Sequence, residues 1–342
     1  MSKKLKLSYK PYTLELKRVF TVATFSRSTT PIVLTEIEYD GLVGYGEASI
    51  PVYLGESQET ILKFLSKINL EKYDNVFCLE DILKDVDSIE PGNFAAKASI
   101  DIALHDLIGK ILNQPWYRLY GLNKYRTPLS SFTIGIDSIE MIEQKIKETE
   151  EYKILKVKLG TDNDMEIIDT IRNITDKPIT VDANQGWKTK VKALEMIEWL
   201  AEKNVLFVEQ PMPKEQLADI AWLKKRSHLP LIADESIRTV DDIIKVHESF
   251  DGINIKLMKC GGMRKAYQMI LLARSLGLNV MLGCMTETSC GISAASQLSP
   301  MVDWADLDGA LLIKNDCFEG TTVDKSKIII SDLPGIGVKK LN

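Results

Sequence analysis

Three acidic residues recur along the middle of this chain at nearly even intervals. Asp182, Glu209 and Asp234 each close a short apolar run and open onto a turn, in the segments ITVDANQGW, VLFVEQPMP and LPLIADES. Acidic residues often cap helices at such turns. In successive strand–helix units of a closed barrel, however, all three would converge at one mouth. An all-carboxylate set without His or Cys suits Mg²⁺, or Mn²⁺, rather than zinc.

Three lysines belong to the same series of units. Lys156 and Lys158 alternate in the run ILKVKLG, so both would face one side of a strand. On an exposed edge strand this pattern is ordinary, but a barrel has no edge. Two like charges there favour the neutral amine of one lysine, which lowers its pKa toward that of a base. Lys256, in GINIKLM, would stand nearly opposite Lys158 and could serve the other face of a substrate. Lys259, in the following turn, is a weaker candidate.

A second acidic cluster closes the last unit of this series. Asp306 and Asp308 form a DxD in WADLDG. Same-side spacing would create an anionic pocket suited to a substrate ammonium group. A capping pair before a turn is an equally good interpretation of the pattern alone.

Eight strand-like runs must position these residues. Helical patterns such as KVKALEMIEWLAEKN separate the runs, with apolar residues three and four apart. Such units of roughly 25 residues predict a (β/α)₈ barrel of the TIM type, with its active site at the carboxyl ends of the strands. A doubly wound open sheet would usually carry a glycine-rich turn after its first strand, and SFTIGI has none. The runs are 131–136, 154–160, 179–184, 206–210, 230–236, 252–258, 279–284 and 303–308.

The segment before the barrel has a different pattern. Strand-like runs and a GLVGYG turn predict an antiparallel meander, and residues 97–112 predict a strongly amphipathic helix. The tail contains the strand-like IIISDLPGIGV. We therefore expect an α+β capping domain at 1–125, a barrel at 126–315 and a tail at 316–342 that returns to the cap.

Composition narrows the class of protein. The chain has 342 residues, a net charge of −5 and 45% hydrophobic residues, which allows a large core. No basic stripe, no apolar 18-residue stretch and no signal-like N-terminus is evident. Five scattered cysteines without a CxxC pair predict buried thiols in a reducing cytoplasm. We expect a cytoplasmic enzyme without a nucleic-acid or membrane partner.

The motifs KxK, DxN, EQP, ADES and INIKxxKxGG, in this order, resemble those of the enolase superfamily, and specifically its muconate lactonizing enzyme subgroup. The resemblance covers essentially the whole chain, including the GEAS segment. It implies that one Mg²⁺ binds Asp182, Glu209 and Asp234. It also implies that Lys158 and Lys256 form an acid/base pair, and that Lys156 tunes Lys158 and steadies an enolate.

Within the subgroup, the chain looks most like the dipeptide epimerases, the L-Ala-D/L-Glu epimerase family. Their aspartates at the place of Asp306 and Asp308 bind the substrate's ammonium group, and CMTET (284–288), with Thr286, also looks like theirs. The resemblance implies epimerisation of the C-terminal residue X of L-Ala-L-X dipeptides. A cycloisomerase or an o-succinylbenzoate synthase is the alternative within the family.

One segment departs from the family pattern. Ala-Glu epimerases carry an arginine in the first capping loop, where this chain has Thr24 or Phe25 in FTVATFSRSTT (20–30). Arg27 comes two or three residues later. We therefore expect broad or hydrophobic X, with Ala-Glu among the substrates, and list Thr24, Phe25 and Arg27 as substrate-binding candidates.

Two further classes of function compete with this interpretation. A Schiff-base aldolase would use Lys158 or Lys256 as a nucleophile and would not need a metal. A ligand-binding barrel without activity would not need two opposed lysines. Barrels of this family often form homo-oligomers, although the sequence shows no interface signature.

Overall fold

The computed structural model describes residues 4–22, 25–50 and 54–341. The chain begins with an antiparallel sheet in which the central strand pairs with both others. The second and third strands are joined by a two-residue turn at Asp40 and Gly41, both with positive φ, which suits the twist of a hairpin. The strands are β1 Lys6–Val22, β2 Phe25–Tyr39 and β3 Leu42–Ser49.

Among the described residues of this N-terminal part, four α-helices follow the sheet: α1 Gln58–Leu65, α2 Leu79–Ile89, α3 Phe94–Ile111 and α4 Trp116–Leu119. The expectation that the 97–112 helix is strongly amphipathic is wrong, because α3 is buried on nearly every side. It packs on the sheet so closely that a Cβ at Gly46 would lie 2.0 Å from the Ser99 carbonyl oxygen. Its other side faces the barrel, where Asp101 accepts hydrogen bonds from Met263 N and Arg264 N.

Eight short parallel strands form the predicted barrel, paired in sequence order. The first and last are joined beside the sheet by a parallel bridge between Ser130 and Ala305. The strands are β4 Phe132–Ile134, β5 Leu155–Lys158, β6 Ile179–Asp182, β7 Val205–Glu209, β8 Leu231–Ala233, β9 Gly252–Ile255, β10 Asn279–Gly283 and β11 Trp304–Asp306. They are shorter than most of the sequence runs, whose polar ends lie in the turns at the mouth.

Helices return the chain between successive strands. They are α5 Ile139–Glu148, α6 Asp164–Ile174, α7 Lys190–Ala201, α8 Leu217–Lys224, α9 Val240–Val246, α10 Leu257–Cys260, α11 Met263–Ser275 and α12 Ser289–Ser296. The sixth unit carries two of them, because the left-handed Gly261 ends α10 before α11 begins. After β11 the chain makes a 3₁₀ turn at Gly309–Leu312 and leaves the barrel.

The tail then forms two small antiparallel pairs, β12 Phe318–Glu319 with β15 Lys339–Lys340, and β13 Thr322–Asp324 with β14 Lys327–Ile329. Lys340 lies 2.5 Å from the Glu36 carboxylate, and Ile336 N donates to Asp106 of α3. These contacts join the tail to the N-terminal part, and the division at 1–125, 126–315 and 316–342 stays a prediction. Across the described ranges, no helix has the length and apolar character needed to cross a membrane.

Candidate active site at the carboxyl ends of the barrel strands

Three carboxylates meet at the barrel mouth. Asp182 and Glu209 are the last residues of β6 and β7 and are register partners, and Asp234 directly follows β8. All three side chains are buried, and each offers an oxygen within 4.8 Å of the others. This cluster of hard oxygen donors, which the sequence predicts from strand-end spacing, could hold a divalent cation.

Lys156 and Lys158 enter the same mouth from β5, as the sequence predicts. Lys158 Nζ lies 2.6 Å from Asp182 Oδ2. Lys156 Nζ lies 2.7 Å from Glu209 Oε2 and 2.8 Å from Asp306 Oδ2. Burial opposes the charge of Lys156, but these carboxylates outweigh it and raise its pKa. Lys156 therefore does not have the lowered pKa that like-charge crowding could produce.

Lys256 reaches the cluster from the other side of the ring. It lies directly after β9, outside the strand, and its Nζ donates to Asp234 Oδ2 at 2.8 Å. Strand β9 is four places from β5 in a ring of eight strands. The side chains of Lys158 and Lys256 thus approach the cluster from opposite sides.

Lys259 also contacts Asp234, which sequence reasoning missed. Its ammonium group contacts Asp234 Oδ1 and donates to the backbone oxygens of Asp234 and Asn254 at 2.7 and 3.2 Å. Burial lowers the pKa of Lys259 even though Asp234 opposes the shift. The second lysine of the INIKxxK motif is Lys259. Its position in a predicted turn gave no reason to expect its side chain inside the barrel mouth.

Asn254 and Glu235 are further members of the cluster that were missed. Asn254, one place before the end of β9, donates from Nδ2 to Glu209 Oε1 at 2.7 Å. Its amide fits beside Gly283, where a Cβ would lie 2.6 Å from Asn254 Oδ1. Glu235 accepts a hydrogen bond from Asn184 at 3.3 Å. Their signal was present in the motifs INIK, ADES and DxN.

The pKa values of the three carboxylates shift in different directions. Burial raises the pKa values of all three metal-ligand candidates, yet lysines reverse this effect at two of them. Lys158 and Lys156 hold the pKa of Asp182 below its ordinary value, and Lys256 and Lys259 do so more strongly for Asp234. The pKa of Glu209 is raised to about 6 by burial and by Asp182. A cation bound here would replace part of the stabilisation that the lysines supply.

Asp306 and Asp308 lie beside this cluster. Asp306 accepts from Lys156 and from Ser131 Oγ, and Asp308 accepts from Thr133 N at 2.7 Å. Neither makes a side-chain cap to the 3₁₀ turn that follows. Burial and Asp306 raise the pKa of Asp308 to about 7, whereas Lys156 outweighs burial and lowers that of Asp306. The capping interpretation is therefore wrong, and the two carboxyl groups lie together at the mouth, with Asp306 paired to Lys156.

The segment expected as a capping loop is part of the long β1–β2 hairpin. Phe20 pairs with Arg27 and Val22 with Phe25 near its end. Thr24 lies outside the described residues, as does the side chain of Phe25. Arg27 Nη2 donates to Thr286 Oγ1 at 2.9 Å, which brings this arginine to the turn after β10. Ser49 Oγ also donates a hydrogen bond to the Thr286 carbonyl oxygen at 2.8 Å.

Comparisons with known proteins agree with this architecture. The family model described as "Enolase C-terminal domain-like" matches residues 140–340, and that of "Mandelate racemase / muconate lactonizing enzyme, N-terminal domain" matches residues 12–121. The L-Ala-D/L-Glu epimerase of Bacteroides thetaiotaomicron is 59% identical, over 99% of this chain and 88% of that protein.

Two solved structures are also similar over nearly their whole length. A substrate-liganded L-Ala-D/L-Glu epimerase from Bacillus subtilis has a TM-score of 0.92 and 30% identity, covering 98% of both chains. A dipeptide epimerase from Enterococcus faecalis, complexed with Mg and L-Leu-L-Tyr, has a TM-score of 0.90 and 31% identity, covering 99% of both.

Proposed function

Since this chain belongs to the mandelate racemase/muconate lactonizing enzyme family of the enolase superfamily and is an isomerase of the racemase and epimerase class, we propose that it is a Mg²⁺-dependent dipeptide epimerase. It inverts the α-carbon of the C-terminal residue of L-Ala-L-X dipeptides. Asp182, Glu209 and Asp234 are the residues that would hold the metal. A cytoplasmic location, Mn²⁺ as a substitute and homo-oligomer formation stay predictions.

The observation that carries this proposal is the placement of Lys158 and Lys256. They approach one carboxylate cluster from strands four places apart in the ring of eight, and each is paired with a different candidate ligand. A substrate held over the cluster would present one face to each lysine. Two-base epimerisation uses this arrangement, because one residue removes the proton from one face and the other returns a proton to the opposite face.

The amines perform the proton transfer. One lysine in its neutral form accepts the α-proton, and the opposite lysine, as an ammonium, donates a proton to the other face. A positioned base contributes on the order of 10²–10⁴-fold, which is well below the accelerations typical of enzymes. A bound divalent cation would supply the remaining stabilisation of negative charge at the substrate carboxylate. Lys156 adds a fixed positive charge next to Glu209.

Asp306 and Asp308 would bind the ammonium end of the dipeptide. They are buried carboxylates beside the carboxylate cluster of Asp182, Glu209 and Asp234. They can therefore hold a cationic group at a set distance from the reacting carbon. Because Lys156 already neutralises Asp306, Asp308 has the greater capacity for a new cation. Thr133 N orients its carboxylate.

Residues near the end of the β1–β2 hairpin would determine which side chains X the enzyme accepts. We keep the expectation of broad or hydrophobic X, with Ala-Glu as an accepted substrate. The contact between Arg27 and Thr286 supports acceptance of an acidic X, because it brings a guanidinium to the mouth. The similarity to an L-Ala-D/L-Glu epimerase supports the same point.

Proton exchange in D₂O, followed by NMR, tests the proposal. The purified protein is incubated with Mg²⁺ and L-Ala-L-X dipeptides in which X is Glu, Phe, Leu or Lys. We expect loss of the X α-proton signal, appearance of the L,D diastereomer, and loss of both on adding EDTA. No exchange by a folded, Mg²⁺-binding protein would refute dipeptide epimerisation. Borohydride trapping together with indifference to EDTA would indicate Schiff-base chemistry instead.

A further inference from the structure

Two lysines share the carboxylate of Asp234, one on each oxygen. Lys256 donates to Oδ2 at 2.8 Å, and Lys259 contacts Oδ1. They are brought together because α10 turns back immediately after β9, so that Lys259 N donates to the Lys256 carbonyl at 2.9 Å. The proposed function assigns Lys256 a role as an acid and a base, but it assigns no role to Lys259.

Lys259 makes more contacts than a counter-ion to a single carboxylate would need. An ammonium group has three donors. Those of Lys259 meet three acceptors, namely Asp234 Oδ1, the Asp234 carbonyl and the Asn254 carbonyl. Two of these acceptors belong to Asp234 itself, so the contact constrains its side chain relative to its own backbone. Lys259 is only 2% exposed, which leaves it little room to swing elsewhere.

The two lysines differ in what they contact. Lys256 Nζ donates to Asp234 Oδ2 at 2.8 Å, whereas Lys259 binds both Asp234 Oδ1 and the backbone oxygen of Asp234. Because each lysine takes a different carboxylate oxygen, the contact that fixes the Asp234 side chain is separate from the contact with the proposed acid and base.

We propose that Lys259 is a positioning residue that holds the Asp234 carboxylate in its metal-ligating orientation, separately from the proton transfer proposed for Lys256. This inference rests on the proposed function for the role of Lys256. It assigns the two lysines of one motif to different tasks. Lys259 positions the metal-ligand candidate Asp234, and Lys256 transfers a proton to or from the substrate.

Calorimetric titration of the purified, metal-free protein with Mg²⁺ separates these tasks without measuring activity. In Lys259→Met the Asp234 carboxylate loses its fixed contact, and we expect the Kd for Mg²⁺ to rise about 10- to 100-fold, as is usual when a residue supporting a metal ligand is removed. In the matched control Lys256→Met, Lys259 remains, and we expect the Kd to stay the same or to fall. If the lysines act only as repulsive charges, both variants will bind Mg²⁺ more tightly, which would overturn the inference.

A second variant covers the case in which Lys259→Met does not fold, which circular dichroism would reveal. Lys259→Gln keeps N–H donors without the charge, and we expect a rise in Kd smaller than about 10-fold but clearly measurable. Wild-type affinity in a folded Lys259→Gln protein would refute the positioning role. If wild type binds Mg²⁺ but epimerises no dipeptide, the proposed function fails, while this comparison still decides whether Lys259 supports Asp234.

Discussion

Lys156 on β5 and Asp306 on β11 are joined, Nζ to Oδ2, at 2.8 Å. Strand β4 lies between their two strands where the ring closes through the Ser130–Ala305 bridge. Because Lys156 Nζ also lies 2.7 Å from Glu209, this one ammonium group connects the metal-ligand candidates to the DxD pair. Under the proposed function, binding of a substrate ammonium and binding of a metal would therefore be coupled through Lys156, and Asp308 is the member of the pair with less direct compensation.

The first prediction concerns pH and Asp308. Burial and Asp306 raise the pKa of Asp308 to about 7, so the carboxyl is protonated in acid and gains its charge as the pH rises through neutrality. An ammonium substrate needs the charged form. We expect kcat/KM for L-Ala-L-X to rise with pH through about 7 and to lose this limb in Asp308→Asn, with a loss of at least about 30-fold at pH 8. A substrate analogue without the ammonium group should show no such limb in wild type. An unaffected Asp308→Asn enzyme would contradict the assignment.

The second prediction separates the two proton-transfer faces. Lys158→Met and Lys256→Met should each lower epimerisation by on the order of 10²–10⁴-fold, because either face is essential for inversion. Exchange of the α-proton with D₂O should then depend on the diastereomer supplied. One variant should retain exchange only with the L,L dipeptide and the other only with the L,D dipeptide. Identical losses with both diastereomers in both variants would argue against opposed bases.

Much of this site could be predicted from sequence, because barrel strands deliver their terminal residues to one mouth whatever the details of packing. Asp182, Glu209 and Asp234 follow from that rule alone. The position of Lys259 beside Asp234 does not follow from that rule, because it depends on the single helical turn α10 directly after β9. Asn254 was missed because its contact with Glu209 is made between two strands that are not neighbours. Such contacts depend on strand register and stagger, which local patterns do not encode.

The third prediction uses a glycine to test the support of Glu209. A Cβ in Gly283→Ala would lie 2.6 Å from Asn254 Oδ1 and would push the amide away from Glu209. We expect Mg²⁺ affinity to fall about 10-fold or more, measured by calorimetry. The control is Gly320→Ala, whose Cβ would meet Ser293 Oγ at 2.3 Å. Those residues are remote in the chain from the carboxylate cluster. The control should lower thermal stability while keeping the metal affinity of wild type, and equal affinity in both variants would refute a role for Asn254.

The fourth prediction concerns Glu287, a buried carboxyl group outside the carboxylate cluster. Glu287 accepts a hydrogen bond from Met285 N at 2.7 Å, and burial together with Glu47 raises its pKa to about 8. The folded protein thus keeps a proton that the unfolded chain releases near its ordinary value of 4.5. The resulting stabilisation is complete below that value and is lost as the pH rises through about 8.

Glu287→Gln keeps the shape of this side chain and remains neutral at every pH, so it should remove the alkaline loss of stability. We expect the variant and wild type to melt at similar temperatures at pH 5, and the variant to melt about 3 °C or more higher at pH 9. An exposed-carboxyl control, Glu215→Gln, should follow the wild-type curve. Parallel curves for Glu287→Gln and wild type from pH 5 to pH 9 would show that Glu287 is already ionised in the folded protein. The hydrogen bond from Met285 would then be stabilising a buried charge rather than a neutral acid.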